Sequence, residues 1–252
     1  MANFYFTSQI TGTQATFTRE EFHHAVRVMR RQVGDRIRFL DGRGGLYRGL
    51  ITEIDHHGEL FRVEIEERRQ RQPRQPRLTL AVALPRRKKL HFIIQKATEL
   101  GVSDFIPLYS DRSCVRPFAP AAAAKKTAQW QKIALEAAKQ CGNPCLPVIH
   151  PPLPLAELPA GGAAAGGRRL FLHPGAPTGF DSLAEIRERP ARLTIAVGPE
   201  GGFTAAEAEY LTAGGFTAVS LGDNILRLET AVVAAVVICQ YLGGHLSPEP
   251  AG

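Results

Sequence analysis

The stretch from Leu193 to Ala235 constrains the fold more than any other part of this chain. An apolar run, Leu193-Thr194-Ile195-Ala196-Val197, empties into Gly198-Pro199-Glu200-Gly201-Gly202-Phe203-Thr204. A second run, Ala218-Val219-Ser220-Leu221-Gly222, empties into Asp223-Asn224-Ile225-Leu226-Arg227-Leu228-Glu229-Thr230-Ala231. Each loop precedes a segment of helical character. Short apolar runs bounded by glycine suit strands buried on both faces of a parallel sheet. Ligands of such sheets bind where loops leave the carboxyl ends of the strands. Two loops of this kind so close in sequence place the expected site here.

The segments upstream agree with a parallel sheet. Leu78 to Leu84 is a continuous apolar run, and after Pro85 the cluster Arg86-Arg87-Lys88-Lys89 opens a helix to Leu100, with Gly101 as its stop. Phe105 to Tyr109 reads as a strand, Ala121 to Gln140 as a long helix, and Arg169 to Leu172 as a strand ending at His173-Pro174. The Pro-, Ala- and Gly-rich residues 147–169 read as an exposed connection, and the part around Gly161 to Gly167 as a mere connector. Strands alternating with helices mean α/β with a mostly parallel sheet.

The first part of the chain, to about Arg77, has a different character. Thr18 with Glu21 three positions on has the form of a capping box and predicts a helix from Arg19 to Arg30. Val33 to Leu40 alternates as a strand does, Asp41 to Gly45 is a turn, and Leu46 to Ile54 with Glu59 to Ile65 predicts a hairpin about His56-His57-Gly58. A small barrel-like module follows from these elements. Gln70 to Arg77, polar with two prolines, reads as a linker. The expected domains are residues 1–72 and 73–252.

Composition narrows the function classes. At 252 residues and 44% hydrophobic, the chain is long enough for two cores, and no apolar run approaches the roughly 18 to 20 residues of a membrane span. The start, Met1 to Phe6, lacks the pattern of a signal peptide, so a cytoplasmic protein is expected. Cys114, Cys141, Cys145 and Cys239 include one near pair and no second, a poor zinc set; buried or half-buried free thiols and no metal are expected. A net charge of +7 favours a polyanionic partner. Every cation before Leu78 is an arginine, suited to bidentate phosphate contacts, the alternative being a solvated arginine face.

Three loops can carry chemistry: Leu172-His173-Pro174, Gly198 to Gly202, and Gly222 to Arg227. The glycines at 198, 201 and 202 permit positive φ and close backbone approach to a ligand. Thr204 with Glu207 is again a capping-box pattern. The loop lacks Gly-Lys-Ser/Thr, so it is no Walker phosphate loop, and its spacing is not a dinucleotide fingerprint. Glu200 repels phosphate and suits a cationic ligand. Ile225, Leu226 and Leu228 offer an apolar lining. Arg227 and Glu229 either present opposite charges to a substrate or form an ordinary surface salt bridge.

Gly-Pro-Glu-Gly-Gly at 198–202, followed by Leu-Gly-x-x-Ile-Leu-Arg-x-Glu-Thr-Ala at 221–231, resembles the RsmE family of 16S rRNA (uracil-N3)-methyltransferases in the SPOUT superfamily. His24, Arg27-Val28-Met29-Arg30 and Gly34-Asp35 resemble that family's PUA-like RNA-binding domain. Gln95 to Val102, Arg112-Ser113, Trp130 to Ile133, Glu136-Ala137 and Gln140-Cys141 match its catalytic-domain motifs in order. Two departures stand out: Asn3 to Phe6 lacks an arginine common in the family, and Asn224 replaces another.

The resemblance implies a SPOUT-type parallel sheet with a trefoil knot, a small N-terminal PUA-like barrel, and S-adenosylmethionine as cofactor. It implies a homodimer acting on 16S rRNA within the 30S ribosomal subunit, methylating N3 of a decoding-region uridine (the m3U1498 site), with no membrane partner. The expected cofactor-binding residues are Leu172, His173, Pro174, Gly198, Pro199, Glu200, Gly201, Gly202, Leu221, Gly222, Ile225, Leu226 and Arg227. Arg27, Arg30, Lys89, Lys96 and Arg112 are expected to bind RNA. Arg227 is the expected stabiliser of the uracil anion and Glu229 the expected base, with Glu200 or solvent as alternatives. Competing readings are a knotted methyltransferase acting on a ribose hydroxyl or on transfer RNA, and a non-catalytic rRNA-binding assembly factor.

Overall fold

The computed structural model describes residues 4–160, 167–180, 183, 186, 188 and 190–246. It divides into two compact units, Met1–Pro73 with Leu135–Leu146, and Arg74–Ala134 with Pro147–Gly252.

The first unit is built on a six-stranded sheet of β1 (Tyr5–Phe6), β2 (Ile10–Thr11), β3 (Gln14–Thr18), β4 (Arg36–Leu40), β5 (Gly45–Asp55) and β6 (Leu60–Gln70), in the order β1-β4-β5-β6-β3-β2. β5 and β6 form the hairpin expected about His56 to Gly58. Alternation along β3, β4 and β5 turns Ala15, Phe17, Ile37, Phe39, Tyr47 and Ile51 into one core. Phe17 stacks on Phe61 with ring centroids 4.5 Å apart, and Phe39 on Tyr47 at 4.9 Å. Two-residue strands such as β1 carry no pattern of their own; β1 exists because it pairs in parallel with β4.

The helix predicted from Arg19 to Arg30 is different in form. A short α1 (Glu20–Phe22) runs into a wide π-type turn over His23–Val28, and Arg19 sits at φ 48° before it. No side-chain cap forms at this start. Thr18 is held in the ladder opposite Leu60, and the Glu21 carboxylate accepts a 2.7 Å bond from Lys139 Nζ. The capping-box reading of Thr18 and Glu21 is therefore overturned, because both members are already engaged elsewhere.

The second unit contains a seven-stranded, wholly parallel sheet. Its members are β7 (Arg77–Ala83), β8 (Asp104–Tyr109), β9 (Val148–Ile149), β10 (Leu153–Pro154), β11 (Arg168–Leu172), β12 (Arg192–Val197) and β13 (Thr217–Val219). The order is β10-β8-β7-β12-β11-β13, with β9 also on β8. The two longest apolar runs, β7 and β12, pair centrally, Leu78 opposite Leu193 and Val82 opposite Val197. α2 (Arg87–Glu99), α3 (Pro120–Cys141), α4 (Ala205–Ala213) and α5 (Leu228–Leu242) complete the α/β architecture expected from the alternation. The last turns of α3 and the loop after it belong to the first unit.

Two further expectations need correction. Residues 147–169 are not simply an exposed connection: β9 and β10 lie there, and Ile149, Leu155 and Leu158 are buried. Gly161–Gly166 and Asn3 lie outside the described residues. Of the four free cysteines, Cys145 is half-buried and Cys239 buried as expected, but Cys114 and Cys141 are exposed. Among the described residues no helix is long and apolar enough to cross a membrane.

Candidate active site

Strands β12, β11 and β13 are neighbours and parallel, so the loops after Val197, Leu172 and Val219 leave the same edge of the sheet side by side. These are the three loops singled out in the sequence. They form an open cleft lined by Leu172, His173 and Pro174, by Gly198, Pro199, Glu200 and Gly202, and by Leu221, Gly222, Ile225 and Leu226. Leu228 lines it too, as its place beside Ile225 and Leu226 led one to expect, and so do Val197, Val219, Ser220, Asn224 and Ala231, which sequence reasoning did not select for the purpose. Gly201 and Arg227, both expected to bind the cofactor, are absent from the lining; the Gly201 carbonyl accepts a 2.6 Å bond from Arg112 Nη1.

Each loop is shaped by identifiable bonds. The loop after β12 turns on a hydrogen bond from Gly202 N to Pro199 O, 2.8 Å, and is anchored by Phe203, which is buried against Phe171. Thr204 then starts α4 with a complete capping box: its hydroxyl accepts from Glu207 N, and Glu207 accepts from Thr204 N. The other Glu207 oxygen accepts from Asp111 N at 2.8 Å, so the same carboxylate fixes the loop after β8. The loop after β13 begins with Ser220, whose hydroxyl accepts from Gly222 N.

The glycines act for different reasons. Of the glycines that line the cleft, Gly202 and Gly222 adopt positive φ, 67° and 101°, and a Cβ on either would meet nothing within 4 Å. Their bare backbone therefore faces open space. Gly198 and Gly201 do not have the positive φ expected of them: at Gly198 a Cβ would lie 2.9 Å from Phe203 N, and at Gly201 3.2 Å from Arg112 Cδ.

The electrostatics centre on Lys89, half-buried on α2. Its Nζ lies 3.0 Å from Glu200 Oε1 and 3.5 Å from Glu229 Oε2. Burial pushes the Glu200 carboxyl up, but backbone hydrogen bonding and Lys89 outweigh it and hold the group below the usual carboxylate range. Glu229 does not pair with Arg227. Arg227 stands at the N-cap of α5, exposed, with no ion-pair partner among the described residues. Ile225, 86% exposed, is an apolar side chain on the cleft that the fold itself leaves uncovered.

The basic residues selected in the sequence fall into distinct settings. Arg27 is paired with Glu59 at 2.9 Å and Lys96 with Glu99 at 2.8 Å. Arg30 is exposed at φ 53° without a carboxylate partner among the described residues. Lys89 and Arg112 both contact the loop after β12.

Comparison with known proteins adds the lineage. Residues 72–240 match the model of the RNA methyltransferase domain, and residues 17–64 that of the RNA methyltransferase PUA domain. The chain is 34% identical to ribosomal RNA small subunit methyltransferase E of Synechocystis sp. over 232 residues, covering 90% of this chain and 73% of that protein. It is 32% identical to the protein of the same name from Bacillus subtilis, covering 90% and 89%. The Neisseria gonorrhoeae ribosomal RNA small subunit methyltransferase E, solved bound to S-adenosylmethionine, aligns with TM-score 0.82 and 26% identity over 96% of this chain and 98% of that one. A Legionella pneumophila methyltransferase solved with the same cofactor gives 0.83, also at 26% identity, covering 96% and 98%. With both domains matched and relatives aligned along most of its length, the chain belongs to the ribosomal RNA small subunit methyltransferase E family.

Proposed function

We propose that this protein transfers a methyl group from S-adenosylmethionine to N3 of a uridine in small-subunit ribosomal RNA. One observation carries the reading: three loops from adjacent parallel strands form a cleft whose wall is bare backbone at Gly202 and Gly222. The cofactor fits this lining by chemistry. Leu172, Leu221, Ile225 and Leu226 suit the adenine ring, exposed peptide groups suit its polar edge and the ribose, and the carboxylate of Glu200 suits a ligand carrying an ammonium and a sulfonium.

When bound, the cofactor supplies an electrophilic methyl. The chain's own residues must present the uracil and stabilise its anion, since N3 becomes nucleophilic only after losing its proton. Arg227 is suited to stabilising that anion: it lies in sequence between the cleft-lining Leu226 and Leu228, is exposed, and has donors uncommitted to any carboxylate among the described residues. Charge placed where an oxyanion develops lowers the barrier as an oxyanion hole does. The target base has to leave its stack to reach the cleft. Arg30 and Arg112 are proposed to hold the surrounding RNA, with Arg27 and Lys96 joining them only on release from Glu59 and Glu99.

α5 supports a homodimer. Its sequence is apolar on every side, and Val233, Val237 and Ile238 stay half-exposed beside the 67% exposed Tyr241. A second copy would cover them. The trefoil knot and action in the cytoplasm on the 30S particle belong to the same proposal.

The test is to incubate the protein and labelled S-adenosylmethionine with 30S particles lacking the modification, then to identify the product nucleoside. N3-methyluridine is expected; a 2′-O-methyl product or no transfer overturns the reading. Arg227→Ala is expected to lower turnover by about a hundredfold to a thousandfold, with cofactor affinity changed by less than about threefold. Equal loss of both would make Arg227 a residue that merely shapes its loop.

A further inference from the structure

Lys89 lies outside the three cofactor loops, on the first turn of α2, yet it is the cation that meets both of their carboxylates. Glu200 comes from the loop after β12, and Glu229 from the first turn of α5, directly after the loop that follows β13. Glu229 Oε2 is buried and accepts no hydrogen bond from the described residues; Lys89 Nζ, at 3.5 Å, is its counter-charge. A buried carboxylate oxygen without a compensating cation is costly, so the two carboxylates can stay this near each other only with the ammonium between them. The nearby groups are few. Arg86 adds positive charge from the N-cap of α2, and Cys114 Sγ lies 3.9 Å from Glu200 Oε2.

The bridge bears on where the substrate's proton goes. Hydrogen bonding to Glu200 above all, against some loss of hydration, holds the Lys89 ammonium more firmly protonated than a free lysine. A carboxylate engaged with such an ammonium is a poor acceptor for the proton of a very weak acid like uracil N3–H, since its basicity falls as its charge is neutralised. A proton placed on Glu200 Oε1 would displace the hydrogen bond from Lys89, and one placed on Glu229 Oε2 would set a donor against the ammonium 3.5 Å away.

We propose that Lys89 is a positioning residue of the methyl-transfer site, locking the loop after β12 to the start of α5 and withholding Glu200 and Glu229 from proton transfer. The inference rests on the methyltransferase reading above and deepens it. The N3 proton leaves to water or hydroxide, the freed N3 electron pair bonds to the methyl carbon, and the carbon–sulfur pair returns to sulfur. Glu229 is then an anchor for Lys89 rather than the base.

The full-length protein tests this through cofactor titration calorimetry and single-turnover methylation of unmodified 30S particles from about pH 6 to 9.5. Lys89→Met is expected to weaken S-adenosylmethionine binding about three- to tenfold, and Lys89→Arg, which keeps the charge, to restore it to within about twofold. Circular dichroism confirms that each variant is folded, and Lys89→Arg keeps the comparison meaningful if Lys89→Met is not. Glu229→Gln is expected to lower the rate at every pH without changing the slope with which it rises toward alkaline pH. Loss of that slope in Glu229→Gln would make Glu229 the base and overturn the proposal. So would a Lys89→Met protein that binds cofactor normally and loses only affinity for the 30S particle, since Lys89 would then be a phosphate contact. If the unaltered protein binds the cofactor but transfers no methyl group, the reaction assigned above fails, while the binding comparison still decides the role of Lys89.

Discussion

Gly198 and Gly222 stand in loops that look alike in sequence, yet the reasons for glycine differ. At Gly222 the backbone needs φ 101°, a conformation that side chains make costly. At Gly198 the constraint is crowding: the nearest atoms to an added Cβ are main-chain atoms of Phe203 and Gly202, at 2.9 and 3.2 Å, and neither can rotate aside. At Gly201 the obstacle is the Arg112 side chain, which can move. Gly198→Ala should therefore shift the turn itself, costing about 1–3 kcal/mol of stability and about tenfold in cofactor affinity, whereas Gly201→Ala should stay within about 0.5 kcal/mol. Urea unfolding with calorimetry of cofactor binding distinguishes them; equal effects would mean that the loop adapts and that Gly198 is not the hinge of the turn. The glycine cluster was legible from sequence as a loop at the carboxyl end of a strand, and it lines the cleft there. Which glycine serves which purpose was not, because the crowding atoms at Gly201 come from Arg112, far away in the chain.

At the scale of elements, the edge of the parallel sheet opposite the cleft is tied by a buried carboxylate. Asp104 opens β8, is only 4% exposed, and accepts from Arg77 Nη2 at the start of β7 and pairs with His150 Nε2, both at 3.0 Å. Burial pushes its carboxyl up, but the bonds from His150 and Arg77 outweigh burial and hold it below the usual aspartate range. A lowered carboxyl pKa in the folded state contributes stability that is complete above the unfolded group's pKa and lost as the pH falls through the folded one. Asp104→Asn should cost about 2 kcal/mol at neutral pH, less than for a wholly buried pair because Arg77 is partly in solvent. That gap should narrow as the pH falls below the ordinary carboxylate range. Urea titrations near neutrality and at about pH 3 check it, and an unchanging gap would show that Asp104 acts by shape alone. Elements with strong local signals, β7, β12, α2 and α4, were legible in the chain. Identical signals gave opposite outcomes where distant partners intervened: Thr204 and Glu207 cap α4, while Thr18 and Glu21 do not cap α1, because Lys139 takes the Glu21 carboxylate. The two-residue strands β1, β2, β9 and β10 are set by their neighbours and leave no trace in sequence.

At the scale of the whole molecule, a net charge of +7 suggests attraction to RNA, but it does not say which cations are free to meet phosphate. In the first unit Arg36 is bonded to Glu66 at 2.9 Å, Arg48 to Glu67 at 3.1 Å and Arg27 to Glu59 at 2.9 Å, and Arg62 is paired with Glu53. Such exposed pairs add little stability, yet each spends a guanidinium that the sequence alone would count toward phosphate binding. Arg30, exposed and unpaired among the described residues, is in the opposite condition. The contrast separates two accounts of rRNA binding. Arg30→Gln and Arg36→Gln change the net charge by the same unit, so attraction through the overall field predicts equal losses of affinity. Direct contact predicts that Arg30→Gln reduces the slope of log affinity against log salt by about 0.7 to 0.9, the release of one counterion, while Arg36→Gln leaves the slope unchanged because its guanidinium is committed to Glu66. Titration of a fluorescent small-subunit RNA fragment at several salt concentrations reads both slopes. Two equal shifts would assign the first unit's role to its field, and a loss confined to Arg36→Gln would mean that RNA displaces Glu66 from its arginine on binding.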